Sequence, residues 1–191
     1  MNTLKNFPLW DNQDGRYFMP DSEALMERMR FCPWCGSDLR PRIIDQRERM
    51  ACTSSSCEYV FWDNPTPVVA AIVEHEGNVL LVRNKGWPPK WYGLVSGFLE
   101  RGEGPEEAVL REVMEELGLD GEVVSLVGIY PFFRMNQVIL AYHVRARGDI
   151  RPGEELEDVR SVPPENLKPW DFGTGLAIKD WLAFRQKRRK K

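Results

Sequence analysis

Three glutamates, Glu112, Glu115 and Glu116, crowd into the stretch GFLERGEGPEEAVLREVMEELGL, residues 97–119. If residues 105–117 are helical, the three are related as i, i+3 and i+4 and share a surface. At roughly 100° per residue, Val109, Leu110, Val113, Met114 and Leu117 form an apolar stripe, and the glutamates are expected on the opposite side. Like charges at these spacings cost an isolated helix roughly a few tenths of a kcal/mol per pair. They also sit in the last turns, where the helix dipole favours cations. Arg111 offsets only part of this. A divalent cation such as Mg2+ or Mn2+, which takes clustered carboxylate oxygens, would resolve the conflict. A solvated acidic face is the alternative.

A second donor set is formed by the four cysteines. Cys32 and Cys35 enclose two residues, and Cys52 and Cys57 enclose four. Thiolates so paired can surround one tetrahedral Zn2+, giving a closed structural site that cannot activate water. Free structural cysteines and a disulfide framework are the alternatives. A segment this short, with few large aliphatic residues, would struggle to fold without metal.

The helix under the glutamates has its own start and stop signals. Pro105 suits the first turn, Glu106 and Glu107 its positive end, and Gly118 the C-terminal cap. Strands are expected over 68–74 and 78–83, joined by a turn at His75, Glu76 and Gly77, and over 92–95, 123–130 and 137–145. Helices are expected over 22–29, where Ser22 could cap, and over 177–184. Asn64, Pro65, Thr66 and Pro67 read as a linker. The chain thus divides into an N-terminal extension (1–30), a cysteine module (31–62), an α/β domain (63–184) and a tail (185–191). Hairpins interspersed with helices favour a mixed sheet covered by helices.

Composition sets the remaining bounds. With 191 residues, 42% of them hydrophobic, the chain can bury a core. A net charge of -3 does not mark the whole chain as a nucleic-acid binder. The tail, basic at every position of 185–191 except Gln186, reads as a frayed solvated end, with RNA contact as the sharper alternative. Neither a membrane-spanning apolar run nor a secretory signal is visible, so a cytoplasmic protein is expected, where disulfides are disfavoured.

The stretch 97–119 resembles the signature of the Nudix hydrolase superfamily, G-x5-E-x7-R-E-U-x-E-E-x-G-U, with U a bulky aliphatic residue. Gly97, Glu103, Arg111, Glu112, Val113, Glu115, Glu116, Gly118 and Leu119 occupy its specified positions. The resemblance implies an α/β/α sandwich whose loop-helix-loop holds divalent ions against a diphosphate. Glu112, Glu115 and Glu116 would be ligands, with the Gly97 carbonyl as another. Arg111 would position a glutamate, and Glu103 would hold the loop or bind metal. The general base would lie in this box or in the later loop carrying Glu154, Glu155, Glu157 and Asp158, where Glu155 and Asp158 are the better placed. A zinc ribbon ahead of such a domain is similar to the NADH pyrophosphatase and FAD pyrophosphatase groups, which also imply a homodimer.

Those groups point to hydrolysis of a nucleoside diphosphate linked to another moiety, best a dinucleotide such as FAD or NADH. An ADP-ribose or (d)NTP pyrophosphohydrolase is the enzymatic alternative, and a non-catalytic nucleotide- or RNA-binding regulator is the alternative of another class. NADH pyrophosphatases carry SQPWPFPQS downstream of the box. Residues 129–138 here keep little of it beyond aromatic character and Gln137. Tyr130, Phe132 and Phe133 could stack on a purine or flavin, as could Trp87, and Arg83 could touch phosphate. Core packing, or a surface salt bridge for Arg83, is equally open to each.

Overall fold

The structure, a computed structural model, describes residues 10–11, 16–17 and 29–189. It divides into two compact units, Met1–Asn64 and Pro65–Lys191. The helix expected over 22–29 falls, apart from Met29, outside the described residues.

In the first unit, β1 (Trp10–Asp11) pairs antiparallel with β2 (Arg16–Tyr17). A second antiparallel sheet joins β3 (Leu39–Ile44), β4 (Arg47–Cys52) and β5 (Val60–Phe61). Asp45 and Gln46 turn between β3 and β4 with φ of 51° and 63°, the two positive values that a type I′ hairpin loop requires. Cys32, Leu39, Met50 and Cys52 are buried, with Met29, Cys57, Tyr59 and Phe61 packed against them. So small an apolar cluster leaves the sulfurs as a large share of the core.

The second unit is a three-layer sandwich. Its sheet runs β11 (Leu156–Val162), β7 (Asn78–Asn84), β6 (Thr66–His75), β10 (Gln137–Arg147), β9 (Asp120–Phe132), with β8 (Val95–Phe98) also on β6. β6 and β10 are parallel and every other pair is antiparallel, so the sheet is mixed. Successive side chains of a strand point to opposite faces, and β6 shows it. Val69, Ala71 and Val73 meet α1 (Pro105–Leu117), while Val68, Ala70 and Ile72 meet α2 (Gly175–Arg189). With both faces covered, the strand reads as a continuous apolar run.

Several expected elements shift. The strand expected over 92–95 begins at Val95, and Gly93 makes only a single bridge to Val82. The Trp87 ring lies 3.3 Å from where a Cβ on Gly93 would sit, so side-chain packing replaces a ladder there. Strand β9 starts earlier and ends later than expected, at Asp120, directly after the buried Leu119, and at Phe132. Helix α2 runs from Gly175 to Arg189, beyond the expected 177–184 and into the basic tail. Arg185 donates to Glu74 at 3.0 Å and lies 5.2 Å over the Trp181 ring, which anchors that turn to the sheet. Among the described residues no helix is long and apolar enough to cross a membrane.

Candidate active site

Helix α1 begins where Glu107 accepts the Gly104 N–H at 2.8 Å, and ends where the Gly118 N–H donates to the Met114 carbonyl at 2.9 Å. Its glutamates do not lie opposite the apolar stripe. Glu112 and Glu116 are buried, 9% and 2% exposed, whereas Met114 is 49% exposed. The helical repeat explains the correction. Glu116 lies seven residues from Val109, only about 20° away around the axis at 3.6 residues per turn, so it shares the sheet-facing side. Only Glu115 points outward, with its side chain 57% exposed.

Beneath those two carboxylates runs β8. The Ser96 N–H donates to Glu116 Oε1 at 3.2 Å, while Glu116 Oε2 is buried with no hydrogen-bond partner. Burial, reinforced by the charges of Glu155, Glu112 and Glu115, pushes the Glu116 carboxyl up to about 8. Burial raises Glu112 as well, against the pull of Arg111. Gly97 leaves room for the Glu112 carboxylate: a Cβ there would sit 2.0 Å from its Oε1. Any side chain at position 97 would therefore displace Glu112.

Arg111 is the hub of the cluster. Its Nε and Nη2 donate to the two oxygens of Glu103 at 3.1 and 2.9 Å, and its Nη1 to Glu112 at 2.7 Å and Glu115 at 3.1 Å. Nη2 also donates to the Phe98 carbonyl at 3.2 Å. Hydrogen bonds to Glu103 above all raise the guanidinium pKa, and the same bonds hold Glu103 below the usual carboxylate range. Glu103 also accepts the Glu100 N–H at 2.8 Å, which fixes the loop ahead of α1. One positive charge thus binds three carboxylates and leaves Glu116 outside its reach.

The later loop docks by backbone. The Gly153 N–H donates to the Glu116 carbonyl at 2.8 Å, and a Cβ on Gly153 would fall 2.5 Å from the Glu115 carbonyl. Glu155 is exposed, and its charge raises both Glu112 and Glu116. Asp158 is engaged elsewhere. It accepts the Tyr92 hydroxyl, a bond that holds it below the usual carboxylate range. Arg160 caps the Tyr92 ring at 4.0 Å, and the Arg83 guanidinium lies 6.0 Å from it.

The aromatic candidates divide. Tyr130 is 9% exposed in the α2 layer and donates its hydroxyl to Asp180 at 2.9 Å, so its ring face is already covered. Phe132 stacks on Phe172 with centroids 6.4 Å apart, whereas Phe133 is 87% exposed. Register sets Phe132 opposite Gln137, which pairs with Thr66 at the end of β6 nearer to Gly97. A cleft of about 450 Å³ opens at the other end of β6, by Glu74, Arg145 and Arg147, and no glutamate of the cluster lines it. Ser96 and Phe98 act through main-chain atoms and Tyr92 through a contact distant in sequence, so no spacing pattern announced them.

In the ribbon the Sγ atoms of Cys32, Cys35, Cys52 and Cys57 all lie within 4.8 Å of one another. The Cys32–Cys57 and Cys35–Cys52 separations are 3.7 and 3.4 Å and all four thiols are free, which sets aside the disulfide alternative. Tetrahedral Zn–S bonds of about 2.3 Å imply sulfurs roughly 3.8 Å apart, so the cluster fits zinc. Without metal the four thiols titrate unequally: hydrogen bonds from the Ser37 side chain and backbone lower Cys35 to about 6, while burial and hydrogen bonds to the other cysteines raise Cys52 and Cys57, so the fit to zinc rests on the sulfur geometry.

Comparison with known proteins follows the same division. A NUDIX domain family model matches residues 64–180, and a Nudix N-terminal zinc-ribbon model matches residues 30–63. The chain is 30% identical over 135 residues to an ADP-ribose pyrophosphatase of Methanocaldococcus jannaschii, covering 67% of this chain and 79% of that one. It is 28% identical over 150 residues to a NAD-capped RNA hydrolase of Vibrio vulnificus, covering 76% of this chain but 55% of that protein. The chain therefore spans about half the length of that relative. A Nudix hydrolase from Nitrosomonas europaea superposes with a TM-score of 0.71 at 25% identity, over 85% of this chain and 93% of the other.

Proposed function

The chain belongs to the Nudix family of hydrolases, and we propose that its glutamate cluster binds Mg2+ or Mn2+ and hydrolyses the pyrophosphate bond of a dinucleotide such as FAD or NADH. The observation that carries this reading is Glu116, a carboxylate 2% exposed with one oxygen unpartnered and its pKa raised to about 8. Burying such a group is costly unless a cation completes it. When bound, divalent ions neutralise diphosphate charge and make the attacking water more acidic. Glu112, Glu115 and Glu116 would hold them, with the Gly97 carbonyl at the edge of the site. Arg111 and Glu103 orient the ligands rather than touch the substrate. Glu155, exposed beside the cluster, would take the proton of the attacking water, since Asp158 is engaged by Tyr92. Phe133 offers an open ring for a base or flavin.

Hydrolysis of ADP-ribose is the second reading, supported by the relative named for that activity at 30% identity. The experiment is to incubate the protein with FAD, NADH, ADP-ribose and dNTPs in Mg2+ or Mn2+ and to identify the products. Cleavage of a dinucleotide into two mononucleotides, lost in Glu116→Gln, is expected. Preferential cleavage of ADP-ribose would select the second reading. No turnover of any substrate would overturn both.

A further inference from the structure

The face of the ribbon turned away from its cysteines gathers positive charge. In the β3–β4 ladder Arg42 stands directly opposite Arg49, Arg40 opposite Ala51 and Ile44 opposite Arg47. Directly opposed residues share a face of the sheet. Arg40, Arg42 and Arg47 therefore project together as exposed side chains, with Arg49 half-buried beside the buried Ala51 on the same face, while Leu39, Met50 and Cys52 fill the core on the other side. Trp62, just after β5, joins this face. The Arg49 guanidinium lies 4.6 Å over its ring and donates to its carbonyl at 2.6 Å, and the indole is 44% exposed.

Like charges directly opposed across a ladder are destabilising, and of the pair Arg42 and Arg49 only Arg49 is held, by Trp62. Arg40 is paired with Asp38 at 2.8 Å, but Arg42 and Arg47 have no ion pair among the described residues. Glu48 lies opposite Ile43, on the other face. Alternate residues on a strand stand about 6.8 Å apart, so the arginines form two short rows of cations beside an indole. A row of guanidinium groups beside a stacking ring fits a phosphodiester backbone whose bases are free to stack.

We propose that this arginine face of the ribbon binds single-stranded nucleic acid, with Arg42 and Arg47 on phosphates and Trp62 stacked on a base. The inference rests on the ribbon alone and stands whether or not the dinucleotide reading holds.

The test measures fluorescence anisotropy of a labelled oligouridylate with the zinc-loaded full chain across a salt series, beside a duplex and vesicles containing anionic lipid. Each phosphate neutralised adds about 0.7 to the slope of log affinity against log salt for a single strand. Arg42→Glu/Arg47→Glu should weaken binding at least about 10-fold and lower the slope by roughly 1.4. Trp62→Ala should weaken it roughly 10-fold with the slope unchanged, as loss of stacking requires. Zinc content and circular dichroism report whether each variant folds, and Arg42→Gln/Arg47→Gln replaces the reversal if it does not. Absence of binding by the parent chain, affinity and slope unchanged in the arginine variants, or preference for the vesicles or the duplex would each overturn the proposal.

Discussion

In the ribbon four sulfurs lie within 4.8 Å of one another, whereas the carboxylates of α1 are spread around a guanidinium. Among the described residues the cysteines are the one group of three or more whose ligand atoms converge so closely. The contrast follows from how each set is held. Two tight knuckles and a hairpin aim the thiols inward, and a filled tetrahedral shell has no position left for a reactant. Ahead of and along α1, Arg111 bridges Glu103, Glu112 and Glu115, while Glu116 is buried with one oxygen unpartnered. The site proposed to admit water and substrate is thus organised by one bridging guanidinium, and the site proposed to fold the chain by convergence of its ligand atoms.

Breaking the closed site should have the largest effect. Cys52→Ala removes a sulfur from the cluster that fits zinc, and structural zinc sites supply on the order of 10 kcal/mol of folding free energy. Hydrogen exchange should then lose protection in β3 and β4 while β6 and β10 keep theirs. Protection retained in the ribbon would erase the distinction between the two sets.

At the open site, Glu116→Gln should lower kcat/KM by at least about 100-fold, beyond the 10–100-fold typical of outer-shell groups, with zinc content unchanged. Arg111→Lys keeps the charge but cannot bridge Glu103, Glu112 and Glu115 at once. It should cost about 10–100-fold in kcat/KM and raise the metal concentration needed for half-activation. If Arg111→Lys matched Glu116→Gln in severity, Arg111 would be acting on the substrate itself.

The smallest effect concerns pH. Because the Glu116 carboxyl is raised to about 8 in the folded chain, the metal-free folded state holds a proton that the unfolded chain has already released. Its contribution to stability is complete below the unfolded carboxylate pKa, about 4.3, and declines as pH rises towards 8. Melting of the metal-free protein should therefore shift downward over that window, and Glu116→Gln should flatten the slope. An identical slope in the variant would assign the effect to other groups.

Much of this was legible in the sequence, and the exceptions are physical. The bounds of α1 follow from Pro105 and Gly118, whose backbone preferences act locally. The burial of β6 on both faces is written in its unbroken apolar run. The inward turn of Glu112 and Glu116 runs against the solvent preference of charge, although their angular positions lie beside Val109 and Val113. In the part of α2 that enters the basic tail, Arg185 meets Glu74, 111 residues away in sequence, a contact that no local pattern encodes. The coverage of Tyr130 by α2 and Asp180 is of the same kind.

The proposed role of the buried Glu116 as a metal ligand is the central claim, and titration calorimetry with Mn2+ tests it directly. At pH 7, in buffers of different ionisation enthalpy, metal binding to the parent chain should release roughly one proton per Glu116, as a group raised to about 8 requires. Glu116→Gln should bind more weakly and release almost none. Equal affinity and equal proton release in the two proteins would contradict the account.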